Sequence, residues 1–537
     1  MKINRRDALK YAAIAGGSLL LPFGMQRTAF GADPNSRAGR PYTLPFRRPP
    51  VLQPVRSDST TDYYQITAQP GTQQIIPRKT NTTVYGYEGM FPGPTIRQQK
   101  DRQSVVRVIN NLTEPMSTHL HGMAALPEYD GWANDISQPG YYKDYVYPNN
   151  RAATIWYHDH AVHQTAMNVN AGLAGMYIVY DEQVDNGLNL PKGPDIIAPG
   201  PYGPNTNYGP AYDVPLVLHD KLFTRQGEVE FGIDPNSLDD GDFKDLFGDV
   251  ITINGVAWPR MQVERRKYRF RILNASVSRS YELQMNRGAR FTMIGTDAGY
   301  RSSPARIRRF KIGAAERYEF VIDFSEFAIG EQIKMRNRSL PNNEDYSKTD
   351  EVMMFEVVSN PTTPDTSTVP STLAYITPIP ALLSQVSRTR ELRFGRDNVP
   401  GNPVQQWTIN GRVWSQDDME ANPPLEGVEI WNLVNNSSSW HHPIHVHLLD
   451  FQLIDRNGRP AEVYEQGWKD VFYLGENEEV RIVGKFGPHA GRFMFHCHNL
   501  VHEDHDMMRG FQVSNNSTNP SSVDPPQLYD FNNPPPL

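Results

Sequence analysis

The 537-residue chain sets 53 Lys and Arg against 60 Asp and Glu, a net charge of −7, with 38% hydrophobic and 11% aromatic residues. This composition excludes a disordered chain, and the acidic balance argues against a nucleic-acid binder, which would usually show a basic face. One cysteine excludes an internal disulfide and multi-cysteine zinc sites, while 40 Gly and 44 Pro favour a turn-rich β fold.

The chain opens on a basic stretch, Lys2 to Arg6, followed by the apolar run Tyr11–Leu21 and the small residues Ala29 to Ala32. These are the three regions of an export signal, and the apolar part is too short to span a bilayer. The pair Arg5-Arg6 with Leu9-Lys10 looks like a twin-arginine signal, implying that the twin-arginine export machinery carries the folded protein to the periplasm or beyond. No later stretch reaches about 18 apolar residues, so no integral membrane contact is expected.

A pattern then recurs three times. Gly89, Gly255 and Gly411 each sit in a turn, an alternating strand follows, and the strand ends at Asn110, Asn274 or Asn435. Alternating strands at this spacing predict all-β architecture, with three consecutive β-sandwich domains at 45–182, 213–359 and 385–516. Pro-, Gly- and Ser/Thr-rich stretches mark linkers at 183–212 and 360–384, 1–32 is the signal, and 517–537 is a Pro/Asn-rich tail. The first and third copies carry His pairs, whereas the middle copy has Ser278-Arg279-Ser280 and no His.

Four His-x-His pairs stand out: His119/His121, His158/His160, His445/His447 and His496/His498. Side chains two apart on a strand share a face, so each pair can aim two imidazoles at one place. Eight imidazoles are too many for one metal and suit a cluster of three. Cys497, between His496 and His498, faces the other way, and His442 is turned away from His445 by its odd offset. With His502 and a weak Met507 they make the His₂Cys site with an axial thioether that is the blue-copper pattern. Met508 could compete, but the +10 spacing from Cys497 favours Met507. Electrons entering at Cys497 would reach its covalent neighbours His496 and His498 over a short route.

These motifs, His119-Leu-His-Gly122, Trp156-Tyr-His-Asp-His160, His442-Pro-Ile-His-Val-His447 and His496-Cys-His-x₃-His-x₄-Met507, resemble the multicopper oxidases over essentially the whole mature chain. Asp130-Gly-Trp132, Lys469-Asp470 and the run His496 to Met508 look most like bilirubin oxidases and bacterial spore-coat-type laccases. The resemblance implies cupredoxin-like Greek-key domains and four copper ions. Type 1 copper would lie on His442, Cys497, His502 and Met507, and type 2 copper on His119 and His445. The type 3 pair would lie on His121, His158, His160, His447, His496 and His498.

Reduction of O₂ to water needs protons, and Asp130 and Glu503 match acidic positions near the cluster in that family; a turn and a helix cap are their structural alternatives. Donor oxidation is expected at an exposed edge of His442, with Trp440 either stacking an aromatic donor there or serving as a core tryptophan. The expected partners are O₂ and a small aromatic reductant such as a phenol, an aromatic amine or a bilirubin-like tetrapyrrole. A metal oxidase acting on Cu(I) or Mn(II) is the alternative, although no methionine-rich tract occurs among the 17 Met. A non-enzymatic cupredoxin-type structural protein would have lost ligands that are all present here.

Overall fold

The computed structural model describes residues 38–79, 81–230, 245–341, 343–402, 404–514 and 526–537, so the expected export signal at 1–32 lies outside the described residues. Among the described residues no helix is long and apolar enough to cross a membrane.

The threefold repeat is visible in the hydrogen bonding. Eight-residue strands Gln103–Asn110, Lys267–Asn274 and Val428–Asn435 each lie parallel to an earlier strand: Thr61–Gln73, Asp213–Phe223 and Val386–Asp397 respectively. Each also pairs antiparallel with a later strand: Tyr141–Tyr147, Arg317–Asp323 and Glu479–Lys485. Parallel neighbours need a crossover between them, and in each repeat the chain visits a second sheet on the way, through Ile96–Gln99, Arg260–Glu264 or Met419–Ala421.

The terminal asparagines explain why this pattern recurs. Oδ1 of Asn110, Asn274 and Asn435 accepts the backbone N–H two residues on, at 3.0, 3.0 and 2.9 Å. Each Nδ2 donates to two carbonyls: Glu114 and Ser137, Arg279 and Ile312, or Trp440 and Gly475. An amide with both donors and its acceptor engaged pins the loop that follows the strand. His119 and His445 lie nine and ten residues beyond Asn110 and Asn435, so the same knot anchors the loop that leads into both His-bearing strands.

A second sheet closes each sandwich. In the first it runs Ile96–Gln99, Ala174–Tyr180, Ala153–Asp159, Thr118–His121, and in the third it contains His442–Val446 beside Gly491–Cys497. Apolar residues from both sheets form one core, Val106 and Val108 with Ile155 and Val179 in the first sandwich and Leu433 and Ile482 with Ile444 and Phe495 in the third.

Two segments differ from expectation. The stretch 183–212 is folded, with helix Glu182–Leu188 capped by Asp181 and a hairpin of Asp195–Gly200 with Gly203–Pro210. Its Pro, Gly and Asn content reads as a loop, yet the same residues serve a tight hairpin turn at Pro201-Tyr202. Residues 526–537 of the tail return to the first sandwich: Gln527–Leu528 pairs with Tyr141–Tyr142, and Arg107 Nη1 donates to the Pro535 carbonyl at 2.7 Å.

Candidate metal centre

Strand register brings the histidine pairs together. His119 stands opposite His158 in the first sandwich, and His445 stands opposite His496 in the third. Period-2 alternation then puts each second histidine on the same face. All eight rings are buried, and their nitrogens converge in three groups: His119, His121 and His445; His121, His158 and His498; His160, His447 and His496. Each group draws on both sandwiches. His121 stacks on His445 with centroids 3.6 Å apart, and His119 stacks on His447 at 4.0 Å.

The outer nitrogens are accounted for by the chain. The carbonyl of Asp130 accepts from His119 Nδ1, that of Asp159 from His158 Nδ1 at 2.7 Å and that of Asp470 from His445 Nδ1 at 2.9 Å. Asp130 Oδ2 lies 2.8 Å from His447 Nδ1. His121 is oriented the other way, its Nε2 lying 3.1 Å from Asp470 Oδ1. The inward nitrogens are left over: among the described residues, Nε2 of His119, His158 and His445, Nδ1 of His121 and both nitrogens of His498 have no hydrogen-bond partner. Burial, then the neighbouring imidazoles, hold these rings well below the ordinary histidine pKa, so they are neutral and present lone pairs. An unpaired buried acceptor costs about 1–3 kcal/mol, and several at one point call for a metal. Spacing agrees: His160 Nε2 and His447 Nε2 both lie 3.2 Å from His496 Nε2, close to the ~3.3 Å between tetrahedral ligands about 2.0 Å from an ion.

A second group lies on the far face of the same strand. Cys497 Sγ is 3.3 Å from His442 Nδ1 and 3.6 Å from His502 Nδ1, and the two Nδ1 atoms are 3.1 Å apart. Helix Leu500–Asp504, capped by Asn499, turns His502 back towards the cysteine. Burial pushes the Cys497 thiol well up, so a thiolate here needs a bound cation to hold it. Met507 is fully buried in the same apolar cluster as Cys497, whereas Met508 packs with Ala133 and Met494 on the other side. Thiolate, thioether and imidazole together are a donor set that suits copper.

The expected exposed edge of His442 is absent. His442 is fully buried, and Ser437 Oγ stands 2.8 Å from its Nε2, held there by the Asn435 knot, which also binds Ser437. Trp440 is half-buried and packs edge-on to His502, with centroids 5.6 Å apart, and to Trp407 at 5.4 Å. It is therefore a neighbour of the second histidine rather than a shelf over the first.

The two expected acids flank the large group from different sides. Burial pushes Asp130 up to about 6, and it touches His447 and His119. Glu503 Oε2 lies 2.9 Å from His496 Nδ1, with Oε1 3.6 Å from His160 Nδ1. Burial alone would raise Glu503, but His496 and then His160 pull it down to about 2. Asp159 accepts from the N–H groups of Ser117 and Ala161, fixing the turn that separates His158 from His160. Three contacts have no counterpart among the sequence expectations: Asp470 on His121, Trp407 tilted against His502 with centroids 4.0 Å apart, and Asp245 Oδ1 3.0 Å from His502 Nε2. Asp470 had a signal in the charged Lys469-Asp470 pair amid apolar residues; the other two sit far off in the chain with none.

Comparison with known proteins agrees with this chemistry. Sequence models described as multicopper oxidase match residues 69–184, 155–345 and 385–517. The chain is 41% identical over 498 residues to bilirubin oxidase from Albifimbria verrucaria, covering 88% of this chain and 81% of that one. It is 33% identical to laccase from Bacillus subtilis (strain 168), covering 87% and 97%. The crystal structure of the McoA multicopper oxidase from Aquifex aeolicus superimposes with a TM-score of 0.73 at 28% identity, over 88% of this chain and 99% of that one. The chain belongs to the multicopper oxidases, copper oxidoreductases of cupredoxin-like fold that couple oxidation of a substrate to reduction of O₂.

Proposed function

We propose that this chain is a four-copper oxidase taking single electrons from small aromatic donors, namely phenols, aromatic amines and bilirubin-like tetrapyrroles, and delivering them to O₂ with water as product. His442, Cys497, His502 and Met507 hold type 1 copper, and His119 and His445 hold type 2 copper. His121, His158 and His498 hold one type 3 copper, and His160, His447 and His496 hold the other. When bound, these ions would supply one-electron uptake at the first site and three more one-electron centres at the cluster, together the four electrons that reduction of O₂ to water needs. The chain does the rest. Cys497 and its neighbours His496 and His498 join the two sites covalently, while the carboxyls of Asp130 and Glu503, against His447 and His496, relay protons to the cluster. The observation that carries the reading is the parity of that strand: Cys497 turns to one donor group, and His496 and His498 turn to two others.

Three sandwiches near 45–182, 213–359 and 385–516 and export through a signal at 1–32 complete the proposal. Trp440, the half-buried aromatic beside His502, lines the approach of the donor. A steady-state panel tests the substrate class: kcat/KM for 2,6-dimethoxyphenol and bilirubin should exceed that for Cu(I) and Mn(II). Preference for Cu(I) would overturn the aromatic-donor reading and leave the fold untouched.

The axial position has its own test. Met507→Leu conserves volume and is tolerated by a packed core, with a cost under about 1.5 kcal/mol. It should keep the blue absorption and raise the type 1 reduction potential, because a weak donor that favours Cu(II) is lost. Met508→Leu should leave the potential unchanged; redox titration of both variants separates them.

A further inference from the structure

None of the donor groups above contains a residue of the middle sandwich, 213–359, yet one of its side chains reaches the histidine centre. Arg317, the first residue of strand Arg317–Asp323, is fully buried. A guanidinium has five N–H donors, and all are used. Nη1 and Nη2 take the two carboxylate oxygens of Asp470 at 2.5 and 2.6 Å, and also the carbonyls of Ala315 and Asp297 at 3.2 and 3.1 Å. Nε takes the Thr154 carbonyl at 3.1 Å.

The acceptors decide what this does. Thr154 lies on strand Ala153–Asp159, which carries His158. Asp470 holds His445 by its carbonyl and His121 by Oδ1, so a single residue orients one imidazole from each His-bearing sandwich. A second, independent observation comes from the backbone beside His121. Gly122 has φ +94, and a Cβ there would stand 2.7 Å from Arg317 Nη2 and 3.1 Å from Asp470 Oδ2. Only glycine lets the guanidinium and carboxylate close against the chain at this point.

Resting on the copper reading above, we propose that Arg317 is a positioning residue for the trinuclear centre. Its grip on both oxygens of Asp470 keeps Oδ1 aimed at His121 Nε2, so that His121 turns Nδ1 inward, unlike its neighbours. The same grip fixes the spacing of the first and third sandwiches at the two donor groups that share His121. The middle sandwich, which contributes none of the donors named above, is thereby part of the centre. Removing one partner of a buried ion pair leaves the other charge unpaired, so some loss of stability is expected with any such change, and the metal geometry is what separates a positioning role from a structural one.

Arg317→Met removes the donors at similar volume, and copper content, electron paramagnetic resonance, blue absorption and thermal unfolding of the metal-free protein are read together. The expected result is an unchanged blue absorption, earlier thermal unfolding of the metal-free protein, a copper affinity of the trinuclear centre lowered by about 10–100-fold, and new resonance from uncoupled type 3 copper. Arg317→Lys should not rescue, because an ammonium cannot span both oxygens. Gly122→Ala, which displaces the guanidinium while keeping its charge, should give the same resonance change, and it serves where Arg317→Met does not fold. Native copper content and resonance in both variants would overturn the proposal, as would equal loss of the blue and trinuclear signals. Absence of trinuclear copper from the unsubstituted protein would instead overturn the copper reading itself.

Discussion

Cys497→Ser is expected to abolish the blue absorption and to lower oxidase turnover by more than about 100-fold, while the protein still folds. Loss of a residue that only orients a metal ligand costs about 10–100-fold, so loss of a proposed ligand such as Cys497 is expected to cost more. It is also the point where the two donor groups meet, with Sγ at 3.3 and 3.6 Å from two imidazole nitrogens and both chain neighbours in other groups. A serine hydroxyl is a harder donor and does not become an anion under the same conditions, so His442 and His502 lose the soft thiolate between them. The structural cost is modest. The site is apolar, and one unpaired hydroxyl there costs about 1–3 kcal/mol. The eight-histidine centre keeps its own strands and carbonyl anchors, so its copper should remain. Visible absorption, metal content and thermal unfolding together check the outcome; retained colour would remove the type 1 assignment.

The second large effect is expected at the acids. Asp130→Asn and Glu503→Gln should slow reoxidation of the reduced protein by O₂ by about 10²–10⁴-fold, the range for loss of a positioned proton donor or acceptor. Reduction by the donor should be nearly unchanged. The two carboxyls are buried against the same cluster but driven apart in acidity. Burial dominates at Asp130 and puts it at about 6, whereas imidazoles outweigh burial at Glu503 and put it at about 2. Pairs of groups with pKa values pushed apart are how one site divides proton donation from proton holding. Both substitutions are isosteric, so the imidazole contacts at His447 and His496 can persist without the charge. Stopped-flow measurement of the two half-reactions separately is the check, and equal slowing of both would remove the relay role.

The clustering of the histidine and cysteine side chains is legible in the sequence because it follows from strand parity. Offsets of two put His119 with His121 and His496 with His498, and the odd offsets of Cys497 and His442 sent them to the other face. The repeat was legible too, since Asn110, Asn274 and Asn435 end equivalent strands and each ties its own loop. Contacts made by distant residues were not legible. Ser437 covering His442, Asp245 touching His502 and Arg317 gripping Asp470 depend on loops and a neighbouring sandwich that no local pattern encodes. The stretch 183–212 holds a hairpin where composition suggests only a linker, because Pro and Gly mark a hairpin turn as readily as a linker.

Metal analysis of copper-saturated protein beside its Cys497→Ser variant tests the central claim most directly. About four copper ions per chain in the native protein and about three in the variant are the predicted result. A native protein that saturates at one or two coppers, or a variant that loses all of its copper, would contradict it.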